Sequence, residues 1–496
     1  MAVPSRQQSA EPSQARVPRM TGDRNPQTGN PYQSPALPGL AESPRPTRVR
    51  YWVLAFLVVL TFLTYYDRQC FMRAVESIER DLSLSKEQIG LIMGAFWLAY
   101  ALFELPGGWM GDRFGARTTL TRIVMAWSLL TSVTGMTVGF KSLFLCRFLF
   151  GVGEAGAFPN IARAQSRWLP VVTREWAGGL LWLSARWGGA FAPLIFGALI
   201  TGFESPGFRG TMQAIPGLGA LGQTAGWRLA FIASGLIGAV WVFFFWPWFR
   251  DHPSEKSSVN AAELELITKN APPEVRGHSM PPGMWRALLT NRSLWAMGIY
   301  YLCGSFGWSF FGSWMLEYFK QVQNVSYSRS AWMAAAPMFL GGISCLLGGI
   351  LSRILIRATG WRRLGRALFP FCGTLIAAAA MYAVPTMNTP LKATMLLCVV
   401  YVAYDFGQGA NWSTIIDIGG RYAGLAAGMI NLIGNIGNAA QPFIGAFIIA
   451  KFGWPVVFAV YSLAFLLAGS MWLLIDPRKT FYEGRANLQS PSELRT

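Results

Sequence analysis

Charge, histidine and paired cysteine are what this chain has least of. Of its 496 residues, 13% are charged and 52% hydrophobic, whereas soluble chains carry about 25% charged residues. An ordinary soluble domain is excluded by that balance. The two histidines, His252 and His278, both fall in a polar middle stretch. Neither a histidine metal site nor a histidine proton relay inside a membrane is therefore available, and no metal or cofactor is expected. The six cysteines (Cys70, Cys146, Cys303, Cys345, Cys372 and Cys398) lie in or beside apolar segments without a C-x-x-C pair, and they read as small hydrophobes. Residues 1–50 lack any apolar run and are rich in Pro, Ser, Gln and Arg. That composition predicts a disordered tail without the apolar core of a cleaved signal peptide.

What remains is long apolar runs. Spanning a hydrocarbon core takes about 20 apolar residues per helix, and stretches of that size recur about twelve times. They fall near 51–74, 88–110, 118–139, 142–165, 173–202, 227–249, 293–319, 330–357, 364–385, 391–417, 422–450 and 454–475. The expected fold class is an all-α membrane protein of twelve transmembrane helices in two pseudo-symmetric six-helix bundles.

A formal net charge of +18 could suggest nucleic acid, but its distribution argues otherwise. Basic residues collect on alternate loops: Arg113, Arg117 and Arg122, then Arg163, Arg167 and Arg174, then Arg250, Lys256, Lys269 and Arg276. The series continues through Arg353, Arg357, Arg362, Arg363 and Arg366 to Arg421, Arg478 and Lys479, while intervening loops hold little beyond Lys141, Lys392 and Lys451. This alternation follows the positive-inside rule and places both termini in the cytoplasm. The expected divisions are a cytoplasmic tail at 1–50, a six-helix bundle at 51–249, a cytoplasmic linker at 250–290, a second bundle at 291–476 and a cytoplasmic tail at 477–496.

The two halves carry matching punctuation. GGWMGDRFGART at 107–118 follows the second apolar run, and GGILSRILIRATGWRR at 348–363 follows the eighth. Such duplication suggests two related bundles with a site between them at mid-membrane. The first copy resembles the loop motif of the major facilitator superfamily at Gly108, Asp112, Arg113, Gly115 and Arg117. The second is degenerate, with Ser352 in place of the acid. The resemblance implies a gate in which Asp112 caps or pairs across helices in one conformation; a basic loop that only sets topology is the simpler alternative.

GVGEAG at 151–156 fits a dinucleotide-binding fingerprint, which needs a strand before the glycines and a helix after them. Here an apolar segment runs straight through them. Glycines at this spacing instead let transmembrane helices approach closely. Arg147 and Glu154 are seven residues apart and project from one face about 10 Å apart. Rise per residue puts Glu154 roughly 18 Å into the membrane and Arg147 about 8 Å. The stretch TYYDR at 64–68 reaches the level of Arg147, and Arg186 that of Glu154. Each ionisable group in hydrocarbon costs about 3 kcal/mol unless it meets a partner or a polar cavity. Five of them (Asp67, Arg68, Arg147, Glu154 and Arg186) at similar depth call for an account. Static ion pairs between helices explain Asp67 with Arg147, but the excess of arginine over acid calls for an anion.

The second half is amide-rich. Asn431, Gly434, Asn435, Asn438 and Gln441 form one helical stripe, and YDFGQGANWS adds Asp405, Gln408, Asn411 and Trp412. Amides and indoles can bond hydroxyls or pack on a carbon skeleton; amides can equally hold helices together. A positive half facing an amide-rich half suggests a ligand with a carboxylate at one end and hydroxyls or a ring at the other.

The residues Tyr65-Tyr66-Asp67-Arg68, FWLAYALFELPGGWMGDRFG, Arg147 with GVGEAGAFPN, and MINLIGNIG together resemble the anion:cation symporter branch of that superfamily, over 51–475. The resemblance implies Glu154 as principal proton carrier and Asp67 as a second. It also implies Arg68 and Arg147 engaging the substrate carboxylate or pairing with those acids, with Tyr65, Tyr100 and Asn431 in contact with substrate. Arg186, Gln408, Asn411, Trp412 and Asn435 complete the expected binding set. Arg186 departs from the branch pattern, where a neutral residue is usual; it fits either a more highly charged substrate or neutralisation of Asp405. Glu104 is also unusual and is placed near the cytoplasmic mouth or at the site. The expected function is proton-coupled import of small organic anions, most of all sugar acids, across a bacterial inner membrane by a monomer without enzymatic activity. Anion exchange, substrate sensing and drug export are the rivals.

Overall fold

The structure, a computed structural model, describes residues 45–269, 283–323, 325 and 327–482. The expected N-terminal disorder up to residue 44, the linker stretch 270–282 with Arg276 and His278, and the tail from 483 onward lie outside the described residues. Among the described residues every regular element is helical. The N-terminal half contains α1 (Val49–Leu82), α2 (Lys86–Phe114), α3 (Ala116–Thr134), α4 (Phe140–Glu154), α5 (Ala157–Trp168), α6 (Arg174–Glu204) and α7 (Gly226–Trp248). The C-terminal half contains α8 (Arg292–Trp308), α9 (Tyr327–Thr359), α10 (Arg362–Ala383), α11 (Pro390–Phe406), α12 (Gln408–Gly419), α13 (Ala423–Phe452) and α14 (Trp454–Met471).

Local sequence sets the ends. Ser85 and Gln88 form a reciprocal capping box at the start of α2, which satisfies two otherwise free backbone donors. Thr389 caps α11 with Pro390 behind it, and Asn291 caps α8. Among the described residues, eight stretches are individually long and apolar enough to cross a membrane. The tally falls short of twelve because one stretch, Pro390–Phe452, merges two crossings, while the third, fourth and seventh fall outside the eight. The seventh continues past Trp308 through Phe310–Ser313 and Met315–Gln321. Twelve crossings result, in two six-helix halves. The stretch 250–290, expected as polar loop, also contains short helices at Ala261–Thr268 and Met284–Thr290.

The unbroken helix expected over 142–165 is corrected. It stops at Glu154 and restarts at Ala157, with Gly156 in the left-handed region at φ 86°. No strand precedes it, so the dinucleotide fingerprint still fails. The break exists because α2 passes there: a Cβ on Gly107 would stand 2.6 Å from the Gly156 Cα. Asn160 seals the crossing by donating to the Gly107 carbonyl at 2.9 Å and the Gly156 carbonyl at 2.7 Å. Backbone groups freed by the break are thereby satisfied inside the bundle, as lipid demands.

Gly156→Ala should destabilise the protein by at least the ~1–2 kcal/mol of a left-handed L-residue, with the Gly107 contact adding to it. The unfolding midpoint in detergent should fall, whereas Gly90→Ala, where a Cβ meets nothing within 4 Å, should leave it unchanged or slightly raised.

Candidate functional site

The two halves meet most closely at the end of the bundle that carries the linker. A Cβ on Gly108 of α2 would collide with the carbonyl of Gly424 in α13, and one on Gly349 of α9 with that of Glu175 in α6. Asp112 ties this end together. Its Oδ1 accepts from Arg163 Nη1 at 2.6 Å, and its Oδ2 accepts from the backbone N–H of Leu425 at 2.6 Å. Leu425 lies in the first turn of α13, whose N–H groups have no intrahelical acceptor. A side chain of one half therefore caps a helix of the other, as the loop motif implied. Arg113 stacks on Trp109 and Phe114. Gly115, at φ 89°, turns the chain so that Arg117 N–H meets Asp251 at 3.0 Å. The Arg117 side chain bonds the Trp246 carbonyl at 2.7 and 3.0 Å.

The same α2 face is open further along. Gly90 precedes Gly108 by eighteen residues, five helical turns, yet a Cβ there meets nothing within 4 Å, and the same holds at Gly94. The face of α2 that meets α13 at the linker end thus has open space beside it toward the other end.

Just above the closed part lies the first charged cluster. Arg68 Nε donates to Glu154 Oε1 at 2.8 Å, and the Arg68 guanidinium sits 4.4 Å from the Tyr100 ring centre and 5.2 Å from that of Tyr65. Glu154 is fully buried as the last residue of α4, so its carboxylate stands at the end of the helix where the backbone dipole is negative. Arg68 is its one ion-pair partner among the described residues. Arg147 makes no ion pair or hydrogen bond among the described residues; the rings of Phe71, Phe150 and Phe96 surround it at 4.5, 4.6 and 4.9 Å. Asp67, 5% exposed, has an Oδ1 without a hydrogen-bond partner. The ion pair of Asp67 with Arg147 that depth alone suggests is therefore absent among the described residues, and Arg68 is drawn to Glu154 instead.

The second cluster joins the halves directly. Arg186 of α6 grips Asp405 of α11 with two bonds, Nε to Oδ2 at 2.7 Å and Nη2 to Oδ1 at 2.9 Å. Both are buried, under the rings of Trp308, Trp182, Tyr401 and Tyr65. Of the two accounts of Arg186, neutralisation of Asp405 describes this state. Tyr65 lies beside both arginines and so links the two clusters.

The amide residues divide. Asn431 and Asn435 are half-exposed; Asn431 donates to Glu104 Oε1 at 2.9 Å, which places Glu104 against the site rather than at the mouth. Asn435 accepts from Asn438 at 3.3 Å. Asn411 and Trp412 are buried and committed within the protein, to Tyr300 at 2.6 Å and Gln165 at 2.7 Å. Gln408 is also buried.

Comparison with known proteins follows the same lines. The family model of the Major Facilitator Superfamily matches residues 57–442. The chain belongs to that superfamily. It is a multi-pass membrane transporter, and members of this family are not enzymes. It is 29% identical over 451 residues to a probable sulfoacetate transporter, SauU, of Cupriavidus necator, covering 90% of this chain and 96% of that one. It is 28% identical to a probable galactarate/D-glucarate transporter, GudP, of Bacillus subtilis, covering 87% and 93%. A D-galactonate transporter of Escherichia coli is 26% identical, covering 88% and 97%. Among solved structures, the proton:xylose symporter XylE superposes with a TM-score of 0.64 at 14% identity, over 87% of this chain and 97% of that one. At that identity the likeness shows the fold alone.

One group of residues escaped the sequence reading. Asp417 at the end of α12 is held by Arg174 at 3.0 Å, Arg366 at 2.8 Å and Arg362 at 2.6 Å, and Arg366 also reaches Glu175 at 3.0 Å. Arg174 and Glu175 start α6 of one half, and the other three belong to the second half. The arginines had been counted as topology signals. Glu175 and Asp417, acids placed at the ends of apolar runs beside basic residues, were the available clue.

Breaking a buried pair by removing one partner costs about 3–5 kcal/mol. Arg186→Ala and Asp405→Ala should each lower the unfolding midpoint sharply, and the double variant should lose far less than the sum; additive losses would show that the pair does not couple. Asp112→Ala should speed amide exchange in the first turn of α13, read as increased deuterium uptake by peptides spanning 420–430.

Proposed function

We propose that this transporter carries small organic anions inward together with protons, with sugar acids as the favoured class, by alternating access between its two halves. The observation that supports this most is the Arg68–Glu154 pair at 2.8 Å beside an Arg147 whose guanidinium makes no ion pair or hydrogen bond among the described residues. An anion entering the parted seam competes with Glu154 for Arg68 and finds Arg147 available. Burial favours the neutral form of a carboxyl group and contact with an arginine favours the ionised form. Glu154, once displaced from Arg68, gains reason to take a proton, and regaining Arg68 after release returns it. Asp67 is a second carrier in this reading. The linked relatives named for sulfoacetate, galactarate, glucarate and galactonate all handle acids that two converging arginines suit.

The remaining groups take supporting roles. Tyr65, Tyr100, Asn431 and Asn435 form the cleft wall against the carbon skeleton. Gln408, Asn411 and Trp412 stand behind it in this state, holding the wall. The linker end, rich in arginine, faces the cytoplasm of a bacterial inner membrane by the positive-inside rule, so the state described is closed inward and parted outward. Rocking the halves must break the Asp112 cap and the Asp417 network. One chain holds the whole site.

Purified protein in proteoliposomes should accumulate galactonate or galactarate when an inward proton gradient is imposed. Glu154→Gln should lose that accumulation about tenfold or more, a change of at least ~1.4 kcal/mol, while exchange of labelled for unlabelled substrate persists. Uptake indifferent to the gradient overturns proton coupling and leaves exchange; no uptake of either acid overturns the substrate class.

A further inference from the structure

Glu104 has no place in the cycle as set out so far. It lies on α2 between the charged cluster and the Asp112 cap, at the point where α2 and α13 touch. A Cβ on Gly428 would meet the Glu104 carbonyl at 3.0 Å and the Leu105 Cα at 3.1 Å. Its side chain is 0% exposed. One oxygen accepts from the Asn431 amide of the opposite half at 2.9 Å, and the other is buried without any hydrogen-bond partner. The ionisable groups facing it are Arg68 from α1, Tyr100 from its own helix and Glu154 from α4; α13 offers the neutral Asn431. Arg68 forms its ion pair with Glu154 and not with Glu104.

A carboxylate in such a place would carry a buried charge with a neutral amide as its cross-seam partner and one oxygen unsatisfied, which is costly. Protonation removes that charge and leaves one O–H donor without an acceptor, a far smaller cost than a buried carboxylate. Eight residues on, Asp112 differs on each count: it has a guanidinium, a backbone donor and both oxygens occupied. The two acids of the seam are therefore built for opposite charge states.

We propose that Glu104 is a proton-binding residue of the seam itself: it holds a proton while α2 and α13 are joined, and releases it to water when the linker end opens. Closure of the seam is then favoured by acid and opening by alkali. This rests on the reading that the halves part at the linker end during transport, and not on Glu154 carrying the coupled proton.

The test uses the full chain in lipid nanodiscs with its native cysteines replaced by alanine and spin labels at Phe114→Cys and Lys479→Cys, both exposed at the linker end. Distances between the labels are measured by pulsed electron resonance across a pH series. The expected result is a long-distance population whose ratio to the short one rises by up to about tenfold per pH unit between the titration of the carboxyl in the opened and in the closed seam, the slope of a single linked proton, and levels off above that window. Glu104→Gln keeps the amide contact without a titrating proton and should hold the short distance throughout. Glu104→Met, which suits an apolar seam, should lose the pH response as well and serves if the glutamine variant fails to fold. A wild-type distance that ignores pH, or a Glu104→Gln response equal to wild type, overturns the proposal. So does a response abolished by Glu154→Gln and kept by Glu104→Gln, which would assign the proton to the site's own acid. A pH response that depends on Glu104 in a protein whose uptake ignores the proton gradient would uphold this proposal while removing the symport reading.

Discussion

A buried carboxylate held by a single guanidinium is the interaction on which the rest depends. Glu154 has Arg68 and little else, at the end of a helix whose carbonyls repel it. In the proposed cycle an incoming anion offers Arg68 the same chemistry. Three other buried acids are fixed more firmly. Asp405 takes two bonds from one arginine, Asp112 takes a guanidinium and a backbone donor, and Asp417 takes three arginines. The hold is firm at the contacts between the halves and slight at Glu154.

The break at Gly156 makes the weak hold possible. A continuous α4 would keep the backbone carbonyl of Glu154 within the helix ladder and move α2 away from it. Instead Gly107 and Gly156 bring two backbones into contact, and Glu154 stands at a helix end level with Arg68. The glycines of GVGEAG thus answer a packing demand. Close approach without Cβ atoms is also what lets Gly108 meet Gly424 across the halves.

Much of this was legible in the sequence. Helix number and the two-bundle fold rested on long patterns in which each residue constrains the next. The nearness of Asp67, Arg68, Arg147 and Glu154 followed from depth along the helix axis, whereas Arg186 belongs to a second cluster with Asp405. Depth, though, cannot say who pairs with whom. It levelled Arg147 with Asp67, but an arginine side chain spans more than a helical turn, and Arg68 reaches past its own level to Glu154. Asn411 and Trp412 share a composition with cleft residues yet point into Tyr300 and Gln165, and composition does not say which face of a helix meets the cleft. The Asp417 network stayed hidden for a different reason: charges at helix ends satisfy a topology rule and an ion-pair network equally well.

Set side by side, the acids of the seam divide the labour of a gate. An ion pair resists opening at every pH where both partners are charged. A cap on a helix N-terminus does the same while adding direction, since only one helix end can be its partner. Neither responds to protons near neutrality unless the carboxylate loses its donors. A carboxyl with a neutral amide opposite it, as at Glu104 and Asn431, has the opposite character: its bond survives in the apolar seam when protonated and turns into a desolvated charge when not. In the proposed cycle that group stands between Arg68 and Asp112, so α2 joins what happens at the ligand to what happens at the cap. Proton and anion need not meet at a single residue for their movements to be linked; it is enough that both act on the contact between α2 and α13.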